Sequence, residues 1–250
     1  MKTFKTLEAK ELILSLQLLI LTAICQAQDW KVSPVEHASA VIEKGGYTLY
    51  IDPVGSASLY RDFPAPDLIL ITDIHGDHYR QSTLDSLKTS KAKIIVPQAV
   101  ADRMPAAFTP QIDVLGNGES RSRFGFTITG VPMYNLRAEA QRFHTKGRGN
   151  GYVVEHDNSR LYISGDTEDI PEMRALENID LALVCMNLPY TMTVESAADA
   201  VLEFKPKTIM PYHYRGNPNV SDVQKFARLI KEGNPKIRLV QLDWYPRADY

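Results

Sequence analysis

The sequence predicts an α/β fold, or α+β in some classifications, in which sheets are covered on their outer faces by helices. Strand signals dominate the first half of the chain, and strands alternate with helices in the second half. In such layered folds, sheets and helices bury their apolar faces against one another. No repeat, low-complexity tract or Gly/Ser linker interrupts residues 28–250, so we expect a single domain there.

The predicted strands are short apolar segments bounded by turn residues. The first two flank Gly45-Gly46, which favours a hairpin because glycine tolerates positive φ. In chain order, strands are predicted at residues 40–42, 47–51, 68–72, 93–96, 124–131, 152–155, 161–164, 181–184, 208–210 and 237–242.

The predicted helices lie mostly between strands, at residues 82–88, 170–176, 194–204 and 222–231. The third has apolar side chains at the spacing of one helix face. Thr193 directly precedes this helix and is predicted as its N-cap, with Glu195 near the positive end of the helix dipole.

The composition is that of an ordinary globular protein, with 44% hydrophobic and 23% charged residues in a chain of 250. The formal net charge of −2 provides no basic field for nucleic-acid phosphates, and no long Lys/Arg run supplies one locally. We therefore expect no nucleic-acid partner.

The N-terminus has the pattern of a secretory signal peptide. Lysines precede an apolar stretch at residues 12–24, which is shorter than the roughly 20 residues that span a bilayer. Small side chains at Cys25 and Ala27 suit cleavage after Ala27. We expect residues 1–27 to be removed, the protein to be periplasmic or secreted, and no stable membrane association afterwards. Cys185, in an apolar segment, is predicted to be a buried and unreactive thiol.

The strongest chemical signal is a hexapeptide at residues 73–78. It reads Asp73-Ile74-His75-Gly76-Asp77-His78 and follows the apolar segment 68–71. Two aspartates and two histidines beside a buried strand would pay desolvation and repulsion if they stayed unpaired. A divalent cation removes that cost, since carboxylate oxygens and imidazole nitrogens are its usual ligands. The hexapeptide therefore predicts a metal site.

Other acidic residues and histidines stand at or after predicted strand ends or in a glycine-rich loop, namely Asp52, Asp166, His213 and His144. Strand ends in layered folds gather at one rim, so residues distant in sequence can meet there. Asp52 either shapes a turn or supports the site, and Asp166 alone also suits a turn. The isolated His37 and His156 are predicted as surface or hydrogen-bonded residues.

Taken together, these motifs resemble the metallo-β-lactamase-fold hydrolases. The resemblance rests on the order Asp52, His75-Gly76-Asp77-His78, Gly165-Asp166-Thr167 and His213, and it covers nearly all of residues 30–245. Segments 143–147, 162–167 and 189–192 make it closest to the branch related to the ascorbate-phosphate lactonases. The resemblance implies a four-layer αββα sandwich with one or two divalent metals at its rim.

By motif position, the resemblance implies that Asp77, His78 and His213 bind one metal and that His75 binds the other. Asp166 would lie between the two ions, because the two oxygens of a carboxylate can bridge neighbouring cations.

The chain departs from the family pattern at two positions. Asp73 stands where histidine is usual, and residues 132–135, Pro-Met-Tyr-Asn, lack another usual histidine. Asp73 can still bind a metal, and Asn135 or His144 can complete its site. A single bound metal is the alternative. The ion expected first is Zn²⁺, with Mn²⁺ and Fe²⁺ favoured by the larger share of oxygen ligands.

The resemblance implies a metal-dependent hydrolase that uses metal-activated water to cleave an ester, lactone or phosphodiester bond of a small-molecule substrate. The residues assigned to catalysis are Asp73, Asp77 and His144, with Asp73 or Asp77 orienting the water or accepting its proton. Candidate substrate contacts are Lys146, Arg148, His144, Tyr190 and Arg215. Lys146 and Arg148 favour an anionic substrate if they face the metals. The alternative is a metal-binding member of the fold without hydrolytic activity.

Overall fold

An apolar core between two β-sheets organises the chain. The computed structural model describes residues 30–245, so the predicted signal peptide at residues 1–27 lies outside the described part and stays a prediction. Buried side chains from both sheets form one continuous cluster, which includes Leu49 and Leu68 from the first sheet and Phe126 and Leu161 from the second. The two sheets therefore pack face to face.

Within residues 30–245, the first sheet has six strands, in the order in which they occur along the chain. They are β1 (Lys31–Glu36), β2 (Ser39–Lys44), β3 (Tyr47–Ile51), β4 (Leu68–Leu70), β5 (Lys93–Val96) and β6 (Ile112–Val114). The pairs β1–β2 and β2–β3 are antiparallel, whereas β3 to β6 are parallel.

In the described part of the chain, the second sheet has seven strands, arranged in reverse chain order from β13 to β7. They are β7 (Ser120–Arg123), β8 (Phe126–Met133), β9 (Gly149–His156), β10 (Ser159–Ile163), β11 (Leu181–Val184), β12 (Thr208–Pro211) and β13 (Arg238–Leu239). Strands β7 to β10 pair antiparallel, and β10 to β13 pair parallel.

The helices cover the outer faces of the sheets and complete the predicted αββα sandwich. They are α1 (Gln81–Ser86), α2 (Gln98–Ala101), α3 (Pro171–Arg174), α4 (Val194–Phe204) and α5 (Val223–Gly233), with 3₁₀ turns at Ala57–Tyr60 and Ala106–Phe108. The N-cap of α4 is confirmed, because Thr193 Oγ1 accepts a hydrogen bond from Ser196 N at 3.0 Å. In the described part of the chain, no helix has the length and apolar content needed to cross a bilayer.

The central strands of the first sheet are apolar on both faces. In β4, Leu68 and Leu70 point into the core between the sheets, whereas Ile69 joins a second buried cluster beneath the outer helices. Successive side chains of a strand point to opposite faces, so a strand buried on both sides reads as an unbroken apolar run. This burial explains why the segment 68–71 was predictable from sequence.

The structure also contains strands that the sequence analysis did not predict. Lys31–Glu36, Ile112–Val114 and Ser120–Arg123 are edge or near-edge strands, and β7 reads Ser-Arg-Ser-Arg without an apolar face. Edge strands bury little surface, so hydrophobic patterning does not mark them. The strand predicted at 237–242 is shorter than expected and spans only Arg238–Leu239.

Cys185 should be unreactive in the native protein. Its thiol is fully buried just after β11, and burial raises its pKa to about 12, so almost no thiolate forms at neutral pH. In a Cys25→Ser background, we expect no reaction with a chromogenic disulfide reagent until the protein is unfolded, when one thiol per chain should react. Rapid stoichiometric labelling of the native protein would contradict this prediction.

Candidate metal centre

The predicted residues follow strands of both sheets and lie close together at one rim of the sandwich. The hexapeptide follows β4, Asp166 follows β10 and His213 follows β12, while His144 lies in the loop between β8 and β9. Within the hexapeptide, the amides of His78 and Tyr79 both donate to His75 O, at 3.0 and 2.8 Å. This turn brings side chains that are close in sequence to the same side of the loop.

Two groups of side chains have the composition of metal sites. The first contains Asp73, His75 and His144, and the second contains Asp77, His78 and His213. In each group the candidate ligand atoms lie within 4.8 Å of one another. We call these groups the Asp73 position and the Asp77 position.

The carboxylate of Asp166 lies between the two positions. Its Oδ2 is 3.2 Å from His144 Nε2 and 3.3 Å from His78 Nε2, and its Oδ1 is 3.3 Å from His213 Nε2. One residue thus approaches histidines of both groups, which is the placement that a bridging carboxylate requires.

Several buried polar atoms at this centre have no hydrogen-bond partner among the described residues. They include His78 Nε2, His144 Nε2 and Asp166 Oδ1. Buried polar atoms are normally satisfied, so unsatisfied atoms that converge on one point call for an explanation. A divalent cation supplies it, because nitrogen lone pairs and carboxylate oxygens are its preferred donors. The residues present therefore fit a metal.

Asp52 supports the Asp77 position from behind. One of its oxygens, Oδ2, lies 2.9 Å from His78 Nδ1 and accepts a hydrogen bond from Thr72 Oγ1 at 2.7 Å. The other oxygen accepts from Thr72 N at 2.7 Å. A carboxylate that accepts from one ring nitrogen leaves the lone pair on the other free for a metal. Of the two interpretations from sequence, the supporting role matches the geometry.

Two residues of the centre have an unusual backbone. Asp52 and His213 have φ values of 43° and 44°, in the left-handed region that residues other than glycine seldom adopt. Such strain persists where surrounding contacts hold the residue in place. Here the two left-handed residues stand just after strands, Asp52 after β3 and His213 after β12.

Asp73 is fully buried and already has strong partners. The guanidinium of Arg148 donates from Nε to Oδ1 and from Nη2 to Oδ2, each at 3.1 Å. His75 Nδ1 lies 2.6 Å from Oδ2. Burial acts to raise the pKa of Asp73, but the hydrogen bond from His75 and the nearby positive charges outweigh it and lower the pKa to about 2. Asp73 is therefore ionised at neutral pH.

Asn135 and His144 have different roles. His144 belongs to the Asp73 position, whereas the amide of Asn135 donates to Tyr190 O at 2.7 Å and to Ala140 O at 2.9 Å. The Asn135 amide nitrogen also lies 3.2 Å from His144 Nδ1. Asn135 thus holds the loop that carries His144, and His144 supplies the candidate ligand.

A cavity of about 330 Å³ opens over the centre. It is lined by His75, Asp77, Phe143, His144, Asp166, Asn187 and Tyr190. Of the predicted substrate contacts, His144 and Tyr190 are in this wall, whereas Lys146, Arg148 and Arg215 are not. Lys146 instead pairs with Glu172 at 2.9 Å.

Three residues near the centre were not predicted to be part of it. Asn187 follows β11 as Asp166 follows β10, so its position after a strand was the available signal. Phe143 adjoins His144 in sequence, but an isolated aromatic residue does not mark a cavity. The His37 ring lies 6.2 Å from that of His213, which only the packing of the β1–β2 turn could reveal.

The comparisons with known proteins identify the family. Residues 31–213 match the family described as "Beta-lactamase superfamily domain". The chain belongs to the metallo-β-lactamase-fold hydrolase superfamily. It is 31% identical over 210 residues to a UPF0173 metal-dependent hydrolase of Pyrococcus abyssi, a match that covers 80% of this chain and 92% of that relative.

Solved structures agree with this assignment. A crystal structure from Parabacteroides distasonis, of a protein assigned to the metal-dependent hydrolases, has a TM-score of 0.74 and 32% identity, covering 86% of this chain and 94% of that one. The metallo hydrolase Igni18 of Ignicoccus hospitalis shares the fold at a TM-score of 0.70 and 22% identity, covering 85% and 94% of the two chains. The chain is thus a metal-dependent hydrolase of this superfamily.

Substitution of Asp52 by Asn should weaken metal binding without removing a ligand. Asparagine tolerates the positive φ at this position, but its neutral amide loses the charge that holds His78. We expect metal affinity to fall by about 10- to 100-fold, measured by competition with a chromophoric chelator. The matched control is Asp113→Asn, because the Asp113 carboxylate forms an ion pair with Arg123 of β7. This variant should keep the wild-type metal affinity. Unchanged affinity in Asp52→Asn would show that His78 does not depend on Asp52.

The stability of the metal-free protein should depend on His213. Burial lowers the pKa of this imidazole, but the charge of Asp166 raises it more, to about 9 from the ordinary 6.5. Because the pKa of His213 is higher in the folded than in the unfolded chain, protonation of His213 stabilises the fold. This stabilisation is complete below pH 6.5 and is lost as pH rises through about 9. Thermal melts of chelator-treated protein should therefore show Tm decreasing over this window.

Metal-loaded protein should not show that decrease, because a bound cation replaces the proton on His213. His213→Gln, measured without metal, should have a smaller decrease in Tm than the wild type. A Tm that rises with pH in chelator-treated wild-type protein would contradict the assignment of this pKa.

Proposed function

We propose that the chain hydrolyses a carboxylic ester, linear or cyclic, of a small uncharged substrate. The observation that supports this proposal is the wall of the cavity over the metal centre. Beyond the candidate ligands, the wall contains two aromatic residues and one amide, Phe143, Tyr190 and Asn187. No lysine or arginine among residues 30–245 belongs to it. This uncharged lining suits a carbonyl compound better than a phosphodiester.

Two nearby cations, Lys146 and Arg148, are paired with acidic side chains. Phosphate and carboxylate groups are usually held by arginine or lysine through charge-assisted hydrogen bonds. Lys146 forms an ion pair with Glu172, and the guanidinium of Arg148 donates hydrogen bonds to both carboxylate oxygens of Asp73. We infer that neither cation holds an anionic substrate. Lys146 is outside the cavity wall, and Arg148, although it contacts a candidate metal ligand, is paired with the Asp73 carboxylate.

The chain's own groups suit ester hydrolysis. A bound divalent cation supplies Lewis-acid chemistry and lowers the pKa of water to roughly 7. Asp77 is partly exposed to the cavity, with Oδ2 3.4 Å from His213 Nε2, so its carboxylate can orient water or accept a proton.

We infer that the side-chain amide of Asn187 stabilises negative charge that develops on the substrate. Its Nδ2 lies 3.2 Å from His213 Nε2, at the wall of the cavity. Its Oδ1 accepts a hydrogen bond from Thr191 Oγ1, which fixes the orientation of the amide. A preorganised N–H donor that faces a developing oxyanion is among the larger contributions to acyl-transfer catalysis.

The aromatic wall provides the contact with the rest of the substrate. The rings of Phe143 and Tyr190 meet edge to face with centroids 5.2 Å apart. Apolar walls with a few placed polar groups are typical of small-molecule sites. We infer that these rings hold the organic part of the ester and limit the access of bulk water.

The proposal predicts a substrate preference and a metal dependence. Uncharged esters and lactones should be hydrolysed faster than phosphodiesters, β-lactams or esters with an anionic group, and chelation should abolish turnover. His75→Ala and Asp166→Ala should lose metal content and reduce kcat/KM by more than about 100-fold, with Asp113→Asn as the unaffected control. Activity and metal content are measured on the same preparations.

Two outcomes would contradict the proposal. Full metal content and activity in both variants would show that the centre lies elsewhere. Tight metal binding without turnover of any activated ester would favour the alternative, a metal-binding member of the fold without hydrolytic activity.

A further inference from the structure

We propose that Arg148 makes the two metal positions unequal, by competing with a cation for the carboxylate of Asp73. The Asp77 position would then bind a divalent ion first, and the Asp73 position would fill only at higher metal concentration. This inference rests on the metal centre described above and concerns how the two positions differ.

The ion pair between Arg148 and Asp73 occupies both carboxylate oxygens. Each oxygen accepts one guanidinium N–H at 3.1 Å, and Oδ2 is also 2.6 Å from His75 Nδ1. Paired N–H donors on a carboxylate form some of the strongest hydrogen bonds in proteins. A metal ion that binds Asp73 must share these oxygens with the guanidinium or displace it.

The guanidinium also opposes a cation through its charge. Asp73 is fully buried, and only 20% of the Arg148 side chain is exposed, so water screens their surroundings weakly. A divalent ion at the Asp73 position would therefore stand close to a permanent positive charge. The carboxylate of Asp77 instead approaches two histidines, His213 at 3.4 Å and His78 at 4.0 Å, which can be neutral when metal binds.

The backbone fixes the pair in place. Gly149 follows Arg148 and starts β9, and a Cβ there would lie 2.9 Å from Thr72 O and 3.3 Å from Asp73 Oδ1. This close approach needs glycine. Asn150 N also donates to Thr72 O at 3.0 Å, so the start of β9 is tied to the residue before Asp73. The guanidinium is thus held against the carboxylate and is not a mobile surface group.

Arg148 also contacts the loop that carries the third candidate ligand of the Asp73 position. Its Nη2 donates to the carbonyl oxygen of Phe143, the residue before His144. One guanidinium therefore joins Asp73 to the His144 loop. We infer that Arg148 preserves the shape of the Asp73 position while lowering its affinity for metal.

The experiment is a Zn²⁺ titration of chelator-treated protein against a competing chromophoric chelator. Wild-type protein should bind two ions in separate steps. Arg148→Met keeps an unbranched, largely apolar side chain and removes the guanidinium. The weaker step should therefore become tighter by about tenfold or more, while the tighter step changes by less than about twofold. Arg142→Met is the matched control, since Arg142 packs on the Phe143 ring at 4.8 Å, and it should leave both steps unchanged.

A second variant identifies the weaker position independently of Arg148. Asp73→Asn should remove the weaker step and keep the tighter one, with a melting curve recorded to confirm folding. Two equal steps in the wild type would overturn the inference even if Arg148→Met failed to fold. A weaker step that is unchanged or lost in folded Arg148→Met would overturn it too, because Arg148 would then be neutral or helpful to binding. Wild-type protein that binds no Zn²⁺ would instead reject the metal centre on which the proposed function rests.

Discussion

The constraint on which the rest of the structure depends is the crowding of buried carboxylates at one rim of the sandwich. Asp52, Asp73 and Asp166 are almost completely inaccessible to solvent, and Asp77 lies beside them. Buried like charges are tolerated only where positive charge or hydrogen-bond donors compensate them. Here the compensation comes from histidine rings, from Arg148 and from the metal that we infer from the unsatisfied ring nitrogens. The two sheets hold these groups close together because their parallel strands end at this rim.

The sequence predicted the parts of the fold that are governed by burial. The segment 68–71 was recognisable because its side chains are buried on both faces of the sheet, and α4 because one face is apolar. The edge strand Ser120–Arg123 lacks both signals, since its place in the sheet depends on backbone pairing with β8. A pattern of hydrophobic residues indicates side-chain burial. It does not indicate a strand that joins the sheet only through backbone hydrogen bonds.

The same distinction applies to the metal centre. The hexapeptide was predictable because its members are adjacent in sequence and chemically unusual together. The choice between Asn135 and His144 was not, because it depends on how the loop after β8 folds back on Tyr190. Arg148 was predicted to contact substrate, yet its partner is Asp73, 75 positions away in the chain. A cation beside a metal site has two possible partners, a substrate or a ligand, and only the three-dimensional arrangement distinguishes them.

Hydrogen bonds connect the loop that carries His144 to the loop that carries Tyr190. Tyr190 lines the cavity, and its carbonyl oxygen accepts from Asn135 at 2.7 Å and lies 3.1 Å from His144 Nδ1. Arg137 joins the same two loops through Thr191 O at 2.7 Å. A substrate that displaced the aromatic wall would therefore also move the imidazole of His144. Buried hydrogen-bonded networks resist such shifts, so the contacts that shape this wall of the cavity also hold the candidate ligand His144. If His144 binds the metal as proposed, a substitution that reshapes this wall would also lower the metal affinity.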